Sequence, residues 1–510
     1  MIHALLCLSL IVLLVALTRC LLFHPLRHIP GPRTATLFSL HEFYHNILRD
    51  GEWSQTFPSL HQYYSMPPLQ PASLISVSAH RHQTHPSSAL ARTTIYRLGT
   101  AFPKDAAFYT SADNHGSIFS MCDRAEHRQR RKALAPRFST QAAELAAPGI
   151  VAELRALIGF MLGRSRSGEG CNISDLFRVL AINWVADTLL GNSGRLVEYQ
   201  AAKPEMLQDI DGLSAVVPLL QFLPYLPTLN SLLPSLATEY LTPAGVGRFK
   251  KVCKDTTRPL LSTPVKDIAS KPQASVVELL IAHRRQAHGK QPTLDYLAEE
   301  AFTFIDAGVD TTGGTLVTAV YHILRNPGIL HRLRSELDDA WLHSGGEVDT
   351  KILAGLPYLN AIIQESHRIW PAIPGPLPRV VPSGGLQVGS YFIPGGTIIS
   401  STHYSLHYNE TVFPAPQSFN PERWLQCGSG SGNGKWAGER YLNPYSRGSR
   451  ACLGINLAQM QLRLALSHLF RSYELELCEP VPEGREWRDH FVARAKWPVL
   501  VRIWPREGTF

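Results

Sequence analysis

Coarse periodicity in the sequence supports mostly helical segments with a few strand-like runs, and two observations lead there. Between Leu294 and Leu324, apolar residues at Leu294, Leu297, Ala298, Ala301, Phe302 and Ile305 recur at helical spacing, which describes a long, largely buried helix. Short strand-like runs, Leu386-Gln387-Val388 and Thr397-Ile398-Ile399, stand apart from the helical segments.

Taken in chain order, Met1 to Thr18 carries only His3, Ser9 and Thr18 as polar side chains, and Cys20 to Phe23 continues the apolar character past Arg19. About 20 apolar residues span a bilayer core, so residues 1–23 are expected to form a transmembrane anchor. Arg19, Arg27 and Arg33 then keep the downstream chain cytosolic. The competing reading is a secretory signal peptide with a cleavage-like Ala16-Leu17-Thr18. Residues 24–33, with Pro25, Pro30, Gly31 and Pro32, read as a stiff hinge. Eight cysteines without paired spacing describe no disulfide framework and suit a reducing compartment. The formal net charge of +8 suits anionic lipid or an acidic electron-transfer partner, and no nucleic-acid-binding motif accompanies it. Asn172-Ile173-Ser174 and Asn409-Glu410-Thr411 match glycosylation acceptors, a pattern too frequent to carry weight. From Val216 to Leu233, Pro218, Pro224 and Pro227 interrupt an aliphatic and aromatic run, so a loop is expected there.

Four motifs carry chemistry. In Tyr445-Ser446-Arg447-Gly448-Ser449-Arg450-Ala451-Cys452-Leu453-Gly454, one cysteine sits in a glycine-bent loop flanked by arginines. Cysteine binds metal as its anion, and neighbouring positive charge favours that form. Gly448 and Gly454 permit tight turns and close approach of a flat ligand. A second motif, Ala307-Gly308-Val309-Asp310-Thr311-Thr312, lies inside the long helix, where Gly308, Gly313 and Gly314 each cost about 1 kcal/mol relative to alanine. Such a weakness makes sense where something fits against the backbone. The third is Glu365-Ser366-His367-Arg368, whose outer residues share one helix face, together with Phe419-Asn420-Pro421-Glu422-Arg423-Trp424. The fourth is His127-Arg128-Gln129-Arg130-Arg131-Lys132, in which His127 and Arg131 lie one turn apart, with Arg379 following the stiff Pro376-Leu377-Pro378. Arg128, Arg130 and Lys132 are expected on a solvated surface.

The loop around Cys452 resembles the haem-binding loop of the cytochrome P450 family, F-x-x-G-x-R-x-C-x-G, with Tyr445 in place of Phe. The other motifs occur in that family's order: the distal acid–alcohol segment, the E-x-x-R pair, a P-E-R-F-like segment, and W-x-x-x-R with His127 in place of Trp. The resemblance leans toward fungal secondary-metabolism, trichodiene oxygenase-like members. It implies that Cys452 ligates the iron of haem b (iron protoporphyrin IX), pushing electron density onto the metal to favour O–O cleavage. His127, Arg131, Arg379, Tyr445, Arg450 and Gly454 would hold the cofactor, Arg379 and its fellow arginines by bidentate pairing with the propionates. Asp310 and Thr311 would relay protons during oxygen activation, and Glu365, Arg368 and Arg423 would form a buried structural triad.

The length would suit about three domains. Because residues for one haem site are drawn from His127 to Gly454, residues 34–510 are expected to form a single catalytic unit of the P450 fold, mainly α with a smaller β portion, an architecture that the resemblance implies. The resemblance further implies NADPH-cytochrome P450 reductase, with or without cytochrome b5, as electron donor. It implies an endoplasmic reticulum membrane address and hydroxylation or oxidation of an apolar terpenoid or polyketide delivered from lipid. Phe304, Ile373 and Leu377 are candidate pocket residues. Residues 65–92 depart from the family pattern, reading as Ser, Pro, Ala, His and Gln with little alternation, and are expected to be mis-spliced or frameshifted. Gln426 to Gly438, rich in Gly and Ser, is expected to be a flexible loop. Two alternatives stand beside this reading: an inactive haem protein, and a haem-thiolate isomerase that needs neither O₂ nor reductase.

Overall fold

A single helix of 32 residues, Leu294–Arg325, organises the molecule. The computed structural model describes residues 40–64, 94–111, 116–191, 195–199, 204–223, 244–271, 273–344, 349–388, 391–425, 437–478 and 486–507, with positions 15, 26 and 29. The helices used below are α1 (Arg124–Leu134), α2 (Thr140–Arg166), α3 (Ile173–Leu190), α4 (Glu205–Phe222), α5 (Leu294–Arg325), α6 (Pro357–Ile369) and α7 (Ile455–Ser472). Thr293 caps α5 by accepting from the Tyr296 amide, one of the donors a helix start leaves unpaired.

The apolar stripe read from the sequence is buried: Leu297, Ala298, Ala301, Phe302 and Ile305 join one core with α2, α3 and α7. The glycines of α5 have a packing cause. A Cβ at Gly308 would collide with Val185 of α3, one at Gly313 would press on the α3 backbone at Phe177 and Arg178, and one at Gly314 would strike the Trp370 indole. What fits against that backbone is therefore a neighbouring helix and a tryptophan.

The β portion is small and antiparallel. Strands β1 (Cys171–Asn172), β9 (Leu500–Pro505) and β6 (Tyr473–Leu477) form one sheet in that order. Three two-stranded pairs complete it: β2 (Arg379–Val380) with β5 (Ile398–Ile399), β3 (Leu386–Val388) with β4 (Tyr391–Ile393), and β7 (Trp487–His490) with β8 (Val492–Ala495). Both strand-like runs of the sequence are thus strands.

Several expectations need correction or fall elsewhere. Pro218 does not break the chain: α4 runs through it to Phe222, and Pro218 is buried. A proline removes one intrahelical donor, and burial of Leu207, Ile210 and Leu213 on the same helix outweighs that loss. Among the described residues α2 is the one helix long and apolar enough to cross a membrane, with mean hydropathy 1.7. Its Ile150, Leu154, Leu157, Ile158 and Met161 are nevertheless packed in the core. The anchor at 1–23 apart from Val15, the atypical stretch 65–92 and the run 224–233 lie outside the described residues, as does the hinge at 24–33 apart from Leu26 and Ile29. So does most of the loop expected at 426–438, of which Ala437 and Gly438 begin a 3₁₀ turn ending at Tyr441.

Candidate active site

Cys452 sits where a tight loop meets the start of α7. Its amide donates to the Tyr445 carbonyl at 2.8 Å, closing the loop. Gly448 takes φ +73°, and a Cβ there would run into the carbonyls of Tyr96 and Arg97, so the position requires glycine twice over. Gly454 differs from expectation: its φ is −84° and it caps α7, with open space where a Cβ would be. Cys452 itself is exposed at this opening.

The loop arginines do not act on the sulfur. Arg447 donates to the Arg440 carbonyl, and Arg450 donates to the carbonyls of Met121, Cys122 and Asp123. Although its surface is open to solvent, the protein atoms crowded around the loop desolvate the Cys452 thiol and push it up, opposed by the Gly454 amide bonded to it and by Arg131 of α1. Arg131 donates to the Ala451 carbonyl at 2.8 Å, which brings its guanidinium to the loop from a residue 320 positions away.

Beside this loop lies a cavity of ≈ 790 Å³ lined by Lys104, His127, Arg131, Arg379 and Arg450 together with Arg97, Arg124, Arg128, Lys132 and Arg447. Among the described residues no carboxylate lines it. All four residues expected to hold the cofactor's carboxylates thus face one space. His127 and Arg131 come from one face of α1, whose N-terminus Asp123 caps through the Glu126 amide at 2.7 Å. Arg379 comes from β2, where it donates to the Tyr109 hydroxyl at 2.7 Å. Burial holds His127 down to about 3, with Arg450, Lys104, Arg131 and Arg130 adding to the shift, so its imidazole is neutral. Lys104 was not singled out in the sequence. It is buried, its ammonium donates to the Phe119 carbonyl and stacks on the Tyr109 ring at 3.9 Å. Burial, then Arg379 and Arg450, lower its pKa well below the usual lysine range. The only signal it offered was a lysine in the otherwise strand-like Phe102-Pro103-Lys104-Asp105.

Buried cations without counter-charge are costly. Here the buried Arg379 and Lys104 and the half-buried Arg131 and Arg450 find only carbonyls, a hydroxyl and aromatic rings among the described residues. A group bearing two carboxylates, with a metal face toward Cys452, fits this donor set and the open space at Gly454.

In mid-helix, α5 shows an accessible strip: Ala307 is exposed, and Phe304, Gly308 and Thr311 are partly so. Thr311 donates to the Ala307 carbonyl at 2.8 Å, the local bond that bends helices. Asp310 lies on another face. Its Oδ1 pairs with Arg494 of β8 at 2.6 Å and with Arg178 of α3 at 2.7 Å, while Oδ2 has no hydrogen-bond partner among the described residues. Acid and alcohol are therefore adjacent in the chain but differently engaged. Asp306, one turn earlier, was not foreseen. Burial and then the Asp310 charge push it up to about 6, with Arg494 and Arg178 opposing. Phe304 stacks on Phe138 at 5.7 Å, whereas Leu377 belongs to a separate apolar cluster against which Ile373 and Phe491 pack.

The third motif assembles fully. The fully buried Glu365 carboxylate accepts from Arg368 at 2.9 and 2.8 Å, Arg423 at 3.2 Å, the Trp424 indole at 2.8 Å and the Asn420 amide at 2.8 Å. Arg368, also fully buried, spends its remaining donors on the carbonyls of His407, Pro416 and Ser418. Arg130, expected at the surface, is instead buried against Glu300 at 2.6 Å, because three residues beyond His127 the helix face turns toward α5.

The mainly helical fold agrees with comparisons to known proteins. The cytochrome P450 family model matches residues 37–496. Cytochrome P450 monooxygenase hkm5 of Aspergillus hancockii is 59% identical over 496 residues, 97% of this chain and 93% of that protein. Cytochrome P450 monooxygenase phqM of Penicillium fellutanum is 30% identical, covering 95% and 89%. Cytochrome P450 monooxygenase asqL of Emericella nidulans is 32% identical, covering 80% and 84%. With a family model spanning most of its length and relatives aligned nearly end to end, this chain belongs to the cytochrome P450 family, whose members of this kind are haem-thiolate monooxygenases.

Proposed function

We propose that the protein is a membrane-anchored monooxygenase that hydroxylates or further oxidises an apolar secondary metabolite, a terpenoid or polyketide, with electrons from NADPH-cytochrome P450 reductase. The observation that carries this reading is the juxtaposition of Cys452 with a cavity lined, among the described residues, by ten basic side chains and no acid. Haem b would be held by Cys452 at the metal and by His127, Arg131, Arg379, Arg450 and Lys104 at the carboxylates. Bound there, it supplies oxygen activation and insertion of one oxygen atom into a substrate C–H bond.

The chain's own residues divide the remaining work. Neutral His127 offers a ring N–H, and the arginines offer forked donors that pair with carboxylates in fixed orientation. Thr311 and Ala307 present the accessible strip of α5 toward the reacting space. Asp310 keeps one oxygen free of hydrogen bonds while two guanidiniums hold the other, so Oδ2 is available to take and pass a proton. The Glu365, Arg368 and Arg423 triad fixes α6 against the segment leading to the Cys452 loop. Phe304, Ile373 and Leu377 offer the apolar contacts a hydrocarbon-rich substrate needs. Residues 1–23 would anchor the catalytic unit, through the 24–33 hinge, on the cytosolic face of the endoplasmic reticulum.

The test is the absorption spectrum of the reduced, carbon-monoxide-treated protein. The red-shifted Soret band of a thiolate ligand is expected, with loss of that band in Cys452→Ala. A band typical of imidazole ligation, or unchanged spectra in Cys452→Ala, would overturn the reading. NADPH-dependent turnover separates a monooxygenase from an isomerase.

A further inference from the structure

Asp310 is held by two arginines, and neither gives it a full grip. Arg178 of α3 meets Asp310 Oδ1 through Nε at 2.7 Å, while its Nη2 donates to Oδ1 of Asp211 on α4 at 2.6 Å. Nε and Nη2 lie on one edge of the guanidinium, the fork that ordinarily takes both oxygens of a single carboxylate. Here that fork is split between two acids. Arg494 of β8 is divided likewise. Its Nη1 donates to Asp310 Oδ1 at 2.6 Å and to Asp211 Oδ1 at 3.0 Å. Its Nη2 donates to the Ser214 hydroxyl and, at 3.4 Å, to the Ile210 carbonyl, both on α4. Asp175 approaches the remaining Arg178 nitrogen, Nη1, at 3.7 Å. Helix α4 therefore engages both arginines that hold Asp310, and the oxygen left over is Asp310 Oδ2, buried and without a hydrogen-bond partner among the described residues. The Asp211 side chain is 32% exposed against 5% for Asp310, so it enters this network from the rim.

We propose that Asp211 is a positioning residue for the proton relay: by drawing donors of both arginines onto α4, it stops the guanidiniums from closing on both oxygens of Asp310 and keeps Oδ2 open. Without the Asp211 charge, Nη2 of Arg178 loses its anion while the adjoining Nε still touches Oδ1. Rotation of the Asp310 carboxylate about its Cβ–Cγ bond then turns Oδ2 to Nη2, giving the side-on bidentate pair whose geometry guanidinium and carboxylate share. An oxygen so engaged faces a donor that does not give up its proton, and proton passage through it slows. This inference rests on the relay role given to Asp310 above.

The experiment uses the full-length haem-loaded protein with saturating NADPH-cytochrome P450 reductase and dioxygen, and reads the rate of NADPH oxidation in H₂O and in D₂O. Asp310→Asn supplies the signature of a lost relay: a slower rate and a larger solvent isotope effect. Asp211→Ala is expected to move both quantities in the same direction by a smaller factor, and the double variant is expected to be no slower than Asp310→Asn alone, because the two changes act on one oxygen. Parental rate and isotope effect in Asp211→Ala would overturn the proposal. So would a double variant in which the two losses multiply, the result expected if Asp211 only seats α4. Should Asp211→Ala fail to take up haem, Asp211→Asn, which keeps the shape and removes the charge, is judged by the same outcomes. Parental behaviour in Asp310→Asn would instead overturn the relay reading, and this one with it.

Discussion

Replacing Glu365 by Gln isolates the worth of one buried charge without changing side-chain size. The carboxylate is fully buried and receives five hydrogen bonds, four from Arg368, Arg423 and Trp424 side chains and one from the Asn420 amide. Its two guanidinium partners are likewise out of solvent. The amide of Gln keeps one accepting oxygen but turns an NH₂ toward donors and leaves two buried cations facing no anion. Breaking a buried pair in this way costs ~3–5 kcal/mol, a large share of the roughly 5–15 kcal/mol that holds an ordinary protein folded. Guanidinium unfolding of the haem-loaded protein, followed by tryptophan fluorescence and by the Soret band, should show the midpoint falling by the equivalent of at least ~3 kcal/mol at unchanged slope. Arg423→Leu should cost less, because Arg423 contributes one of the five bonds and Arg368 still balances the carboxylate. A Glu365→Gln midpoint within about 1 kcal/mol of the parent, the range of exposed pairs, would refute the argument that uncompensated burial sets the cost.

Three further outcomes follow from the site. Arg379→Ala removes a buried cation whose partners are all neutral, so the polypeptide itself should remain folded while the haem bound per chain, read as the pyridine haemochrome, drops; undiminished haem would exclude it from carboxylate binding. Asp310→Asn leaves the Arg178 and Arg494 contacts in place but removes the proton-accepting charge, and NADPH-driven turnover should fall by about 10²-fold; unchanged turnover would exclude the relay. His367 is held down to about 4 against an ordinary 6.5, so the unfolded chain takes up its proton first. Stability from this group is therefore complete above about pH 6.5 and is lost as pH falls toward about 4, to the extent of about 3 kcal/mol. Thermal unfolding between pH 7 and 4.5 should show that slope in the parent and a shallower one in a variant lacking the imidazole.

The position of the site was legible in the chain because its chemistry depends on residue type at short spacing. A cysteine in a Gly-Arg loop, a carboxylate and guanidinium three apart, and a histidine and arginine four apart each need only local geometry to share a face. The long helix was legible for the same reason, its apolar stripe recurring at the period that buries one side. What sequence alone misjudged was which cation meets which anion. Arg450 and Arg447 sit nearest Cys452 in the chain, yet Arg131 is the guanidinium that bears on the sulfur, because α1 crosses the loop and the loop arginines turn away to carbonyls. Arg130 reads as a surface charge by its neighbours and is buried only because α5 places Glu300 opposite it. Pro218 reads as a helix breaker and is carried through a helix by apolar burial on the same face. Lys104, Asp306 and the pairing of Asp211 with Arg178 and Arg494 joined segments too distant for any spacing rule. Residue identity and local period thus determined the chemistry and the principal helix, while charge pairing, burial of ionic groups and the environment of the sulfur were decided by the tertiary structure, because desolvation and Coulomb energies depend on distances in space that the chain order does not contain.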